Sequence, residues 1–141
     1  MKPENLSWTL DELPTYVLNF VNGLAVQLTI IPSEILAVSG FPPAGIDLPP
    51  DQTRPIDLEP GDLTLPTGVR CNLTVAESTG DFLIAATYHA ENSNFTFAIE
   101  WGTHPTITVE DESVDVIADV ASTNTTFTIA FKLDPGPGSL N

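Results

Sequence analysis

The sequence predicts a mainly β protein: an antiparallel β-sandwich or small barrel, immunoglobulin-like or jelly-roll-like, with one short N-terminal helix and a Pro-rich extended arm. After Pro66, apolar and polar residues alternate in six successive runs, and polar turn sequences such as 78–81 separate them. Because alternate residues of a strand point to opposite faces, each run has one apolar face, which two packed sheets bury. The runs are Val69–Val75, Phe82–His89, Phe95–Trp101, Ile107–Val109, Val114–Val120 and Phe127–Leu133.

Residues 9–23 are predicted to form the helix. Asp11 and Glu12 suit the positive end of a helix dipole, and Gly23 stands where a C-terminal cap belongs. Apolar residues recur at spacings of three and four, which predicts one apolar stripe. They are Leu10, Leu13, Val17, Phe20, Val21 and Leu24.

The segment 41–66 contains seven of the thirteen prolines. Proline fixes φ and favours extended geometry in the residue before it, so the segment is predicted to be an extended arm. Long connections of this kind are usually functional or linkers, and this one is too apolar for a solvated linker. We therefore expect the arm to bind another subunit through its apolar side chains, Ile46, Leu48, Ile56, Leu58, Leu63 and Leu65.

The chain of 141 residues is expected to form a single domain over 1–141, with a sandwich core at 67–133 and a C-terminal tail at 134–141. Its 4 Lys and Arg against 19 Asp and Glu give a net charge of −15. Nucleic-acid binding draws most of its affinity from cations that neutralise phosphates, and anionic membranes attract the same residues. The composition therefore argues against both partners.

The residues that most often carry chemistry are few, and no cofactor is predicted. Cys71 alternates with Arg70 on a predicted strand, on the same side as Val69, so it is interpreted as a core residue with a poorly reactive thiol. His89 and His104 have no second ligand at the spacing of a metal motif. The sequence therefore predicts a protein that is not an enzyme.

The densest acidic run contains Glu110, Asp111, Glu112 and Asp115. Calcium is bound by several converging carboxylate oxygens, so these four residues form an alternative calcium site. The run lacks the glycine-turned frame of an EF-hand loop, and a solvated acidic turn is the simpler interpretation. No metal site is therefore the main expectation.

These observations favour a structural protein of a larger assembly. The expected partners are protein subunits, copies of this chain among them, and the expected form is an accessory virion component such as a capsid decoration (cement) protein or small tail subunit. The N-terminus has no basic and apolar signal sequence, which fits a virion protein made in a host cytoplasm. The alternative is an extracellular immunoglobulin-like or carbohydrate-binding recognition module that depends on calcium at the acidic run.

Overall fold

The computed structural model describes residues 15–123 and 125–135. Within them the fold is all β, and two sheets pack face to face as a sandwich. The strands are β1 (Tyr16–Asn22), β2 (Leu28–Leu36), β3 (Val38–Ser39), β4 (Ile46–Leu48), β5 (Thr53–Pro60), β6 (Thr67–Val75), β7 (Ser78–His89), β8 (Asn94–Thr103), β9 (Thr106–Val109), β10 (Glu112–Ser122) and β11 (Thr126–Leu133).

One sheet has six strands in the order β3-β5-β1-β11-β10-β9, and the other has five in the order β4-β2-β6-β7-β8. The pair β1 and β11 is parallel, with Leu18 opposite Phe127 and Phe20 opposite Ile129. The other pairs among the described strands are antiparallel. The six alternating runs after Pro66 all lie in strands, which confirms the β prediction for that part of the chain.

The core lies between the two sheets and is rich in phenylalanine. Phe20, Phe82, Phe127 and Phe131 are all at most 1% exposed. Phe131 stacks on Phe20 across 6.1 Å and meets Phe82 across 5.9 Å, so it joins the two sheets. Aromatic pairs of this separation stabilise a core beyond the area that they bury.

The predicted helix at 9–23 is wrong where the structure describes it. Tyr16–Asn22 is strand β1, in which alternate residues are buried, and residues 9–14 lie outside the described residues. Val17 and Val21 lie on the outer face of this strand, so both of its faces have apolar residues. Counted together, the apolar residues of the two faces have the spacing of a helix. Gly23 follows the strand, and its N–H donates to the Phe131 carbonyl across 2.9 Å.

The segment 41–66 is not an extended arm, because it folds onto the chain's own sheets. Strand β4 pairs with β2 in the five-stranded sheet, and β5 pairs with β1 and β3 in the six-stranded sheet. Between them the chain turns at Pro49–Gln52, where the Gln52 N–H donates to the Pro49 carbonyl across 3.2 Å. The prolines therefore shape a crossing from one sheet to the other.

Asn22 fixes this crossing from the end of β1. Its side-chain amide donates to the carbonyls of Leu48 at 2.9 Å and Val26 at 2.8 Å, and its oxygen accepts from the Leu24 N–H at 2.8 Å. The side chain is fully buried, and a buried polar group is stable only when it is hydrogen-bonded. A single side chain thus satisfies three backbone groups where the chain passes between sheets.

Candidate functional site

The residues predicted to form the arm interface mostly belong to the core. Ile46, Leu48, Ile56 and Leu58 are 1–5% exposed and lie in the buried cluster between the sheets. Leu63 is half-buried and Leu65 is exposed, in the loop before β6. The four buried side chains are held by the chain itself, so they are not available to a neighbouring subunit.

The acidic run occupies the turn between β9 and β10. Glu110 and Asp111 have φ values of 51° and 68°, and the strands on either side pair from Val109 with Glu112 onward. Two residues with positive φ are typical of a tight hairpin turn. All four carboxylates, Glu110, Asp111, Glu112 and Asp115, are exposed, and no group of three or more potential ligands in the described chain is arranged to hold a metal ion.

The cysteine and the histidines have structural surroundings. Cys71 is fully buried, and burial raises the pKa of its thiol to about 12. His89 Nε2 lies 2.9 Å from Thr96 Oγ1, and His104 Nδ1 lies 2.9 Å from the Val116 carbonyl. The His104 ring also stacks on Trp101 with 4.3 Å between centroids. His89 thus contacts β8 from β7, His104 contacts β10 from the loop before β9, and Cys71 belongs to the core.

A cavity between the sheets is too small for a ligand. Its volume is about 10 Å³, roughly that of one water position. Apolar side chains and one threonine line it: Tyr16, Val38, Leu58, Pro60, Thr67, Phe95 and Phe97. This cavity offers no site for a substrate.

The feature that stands out is the free edge of β8. The strand has ten residues, Asn94–Thr103, lies at the end of the five-stranded sheet and pairs with β7 on one side. The other edge strands of the described chain, β3, β4 and β9, have two to four residues. An edge strand carries a row of unpaired backbone donors and acceptors, which is a template for another strand.

The face beneath this edge is partly uncovered. Ala118 lies opposite Phe131 and Val120 opposite Ile129, so both point toward the space between the sheets, as their buried partners do. Ala118 is half-buried, but Val120 is 43% exposed. An apolar side chain that points inward and still meets water marks a place where the opposite sheet lacks a strand.

Aromatic contacts show how far the five-stranded sheet reaches. Phe97 on β8 packs on Phe127 of β11 with 4.9 Å between centroids, and Trp101 lies 6.5 Å from Phe131. The start of β8 therefore lies over β11, and beside it the Val120 end of β10 is left uncovered. We call the β8 backbone together with Phe97, Ile99, Ala118 and Val120 the open edge.

Both ends of β8 are held in place. At its start, the Tyr16 ring packs edge-on against Phe95 and Phe97 at 5.2 and 5.5 Å. Burial raises the pKa of the Tyr16 hydroxyl, and a hydrogen bond with the Phe95 backbone opposes part of that rise. At its end, the Val116 N–H donates to the Pro105 carbonyl across 2.8 Å. The start of β8 and the loop that follows it are thus both in contact with the six-stranded sheet.

Comparison with known proteins yields no match: no family model, no curated protein and no solved structure is significantly similar to the chain. In the part of the chain that the structure describes, no helix is long and apolar enough to cross a membrane. The open edge is therefore interpreted from its geometry alone.

Proposed function

We propose that the protein is a non-enzymatic structural protein that joins subunits of a larger assembly, with a neighbouring protein bound at the open edge. The observation that carries this proposal is the exposed, inward-pointing Val120 beside the edge of β8 that does not pair with β7. Strand addition to a free sheet edge is a common mode of protein recognition, in which backbone hydrogen bonds give affinity and alternate side chains give specificity.

Charge supports this location for the contact. The chain carries a net charge of −15, so a neighbour must either present positive charge or meet an uncharged surface. Glu100 is the single charged residue among Asn94–Thr103. A protein that binds at the open edge therefore meets little electrostatic repulsion.

In its narrower form, the proposal is that the chain is an accessory virion component, either a capsid decoration protein or a small tail subunit. The support for this form is an analogy of class alone, with the small all-β domains that are familiar among the accessory subunits of such particles. The partners are then protein subunits of the particle, and the protein resides in the virion.

The test is the mass of the native particle that contains the chain, measured by mass photometry at low and high salt. We expect a mass far above the 15.1 kDa of one chain, and we expect Val120→Asn to reduce incorporation of the chain. Ile31→Asn is the matched control, because Ile31 is 44% exposed on β2, away from the open edge.

A chain that is found at 15.1 kDa in its native extract at both salt concentrations would contradict the proposal. Equal incorporation of Val120→Asn and wild type would show that the open edge is not the surface that binds the neighbour. Glycan binding, or a melting temperature that rises with calcium, would favour the recognition module that the sequence offers as an alternative.

A further inference from the structure

The open edge restricts the shape of what can bind to it. The start of β8 lies over β11, so the position beside it lies over the Val120 end of β10. Neighbouring strands of a sheet are about 4.8 Å apart and packed sheets about 10 Å apart, so this position has the dimensions of one more strand in the upper sheet. Its floor consists of Ala118 and Val120.

A second copy of the same edge does not fit there. In an antiparallel pair of identical strands, the two copies are related by a twofold axis perpendicular to the sheet, which places both six-stranded sheets on the same side. The β8 strand of each copy has its own β11 beneath it. In such a pair, β11 of one copy would occupy the same space as β10 of the other copy, so the two six-stranded sheets would overlap.

An isolated strand meets no such obstacle, because it brings no second sheet with it. Its inward side chains lie between Phe97 and Ile99 on one side and Val120 below, so apolar side chains at alternate positions are required there. Its outward side chains lie beside Thr96, Ala98 and Glu100. Basic or hydroxyl residues suit that side, because Glu100 and the net charge of −15 favour cations.

We propose that the open edge takes a single extended segment of a partner protein, apolar at alternate positions and basic on its other face. This inference rests on the proposed function and specifies the partner: the neighbour contributes a free strand or tail rather than the edge of a folded sheet. The protein thereby gains the sixth strand that its smaller sheet lacks.

The probe is a labelled nine-residue peptide in which valine alternates with lysine or threonine, added to the full chain. Fluorescence anisotropy measures binding, and amide hydrogen exchange over residues 94–101 measures strand formation. We expect binding together with new protection of β8 amides. A peptide of the same composition with its valines in one block, and one with glutamate in place of lysine, are the matched peptides that we expect to bind at least about tenfold more weakly.

Two variants locate the site. Val120→Asn is expected to weaken peptide binding by roughly tenfold, since it places an amide on the apolar floor, whereas Ile31→Asn leaves binding unchanged. Equal binding by wild type and Val120→Asn, or protection away from β8, overturns the inference.

A second copy of the chain or its own residues 1–14 could also occupy the open edge. Each would give a different result, and either result overturns the inference. A second copy gives a dimer mass that Val120→Asn abolishes. The chain's own residues 1–14, supplied as a synthetic peptide, give tighter binding than the alternating probe. If no peptide binds but the chain still enters its native particle in a Val120-dependent way, the single-strand partner is wrong and the proposed function stands.

Discussion

Val120 lies directly opposite Ile129 in the ladder between β10 and β11, yet Ile129 is fully buried and Val120 is 43% exposed. Both side chains point toward the space between the sheets. They differ because the start of β8 covers β11 and leaves the Val120 end of β10 uncovered. One residue pair therefore spans the boundary between the core and the open edge.

This pair predicts a large effect on stability at one residue and a small effect at the other. Ile129→Ala is expected to lower the free energy of unfolding by about 2–5 kcal/mol, because it leaves a cavity in the core. Val120→Asn is expected to lower it by only about 1 kcal/mol or less, because Val120 is partly exposed and the main loss is the strand preference of valine. Urea unfolding followed by tryptophan fluorescence measures both. A large loss in Val120→Asn would mean that its side chain is already covered.

The segment 41–66 offers a second comparison, between Leu48 and Leu65. Leu48 is 1% exposed on β4, and Leu65 is 54% exposed in the loop before β6. Leu48→Ala is expected to cost roughly 2–5 kcal/mol of stability, and Leu65→Ala about 0.5 kcal/mol or less. Thermal melts by circular dichroism distinguish the two. Similar melting temperatures for both variants would indicate that the whole segment is a free arm, as the sequence predicts.

Asn22→Ala tests the hydrogen bonds that hold the crossing between sheets. The variant leaves the Leu48 and Val26 carbonyls and the Leu24 N–H without the Asn22 side chain. Each buried group that loses its partner costs about 1–3 kcal/mol, so we expect a loss of roughly 3 kcal/mol or more.

The matched control for this test is Asn19→Ala, because Asn19 is half-buried on the outer face of the same strand. Urea unfolding of the two variants is expected to show a clear difference between them. If Asn22→Ala and Asn19→Ala were equally stable, the three hydrogen bonds would not fix the crossing.

The Cys71 thiol predicts a pH dependence. Its pKa is raised from 9.0 to about 12 because the folded chain buries it, so the folded state keeps its proton where the unfolded state loses it. The stability that this thiol contributes is therefore complete below pH 9 and falls as the pH rises from 9 toward 12.

A thiol reagent measures this protection. At pH 8 Cys71 is expected to react only after urea unfolds the chain, whereas fast labelling of the folded protein would contradict its burial. A Cys71→Ala variant serves as the control, and its stability is expected to fall less between pH 9 and 12 than that of wild type.

The sequence predicted well the strands whose two faces differ. In Thr126–Leu133, large apolar residues alternate with Thr126, Thr128, Ala130 and Lys132, and only a period of two fits such a run. In β1 both faces are apolar, because Val17 and Val21 lie outside while Leu18 and Phe20 lie inside. The period of β1 is therefore ambiguous, and the helix prediction failed there.

The open edge could not be predicted from the sequence, for a different reason. The alternation of Phe95, Phe97 and Ile99 predicts a strand but contains no information on its neighbours. Whether a strand lies at an edge depends on the order of all strands, which here involves a parallel pairing of β1 with β11. The segment 41–66 shows the same limit, since its prolines indicate extended geometry but not the sheets that the segment joins.

The parallel pairing of β1 and β11 has a mechanical consequence. Since the two strands run in the same direction, the described chain enters at one pole of the sandwich and leaves at the other. Tension between Thr15 and Pro135 acts along this ladder and shears its six residue pairs simultaneously instead of unzipping them in turn.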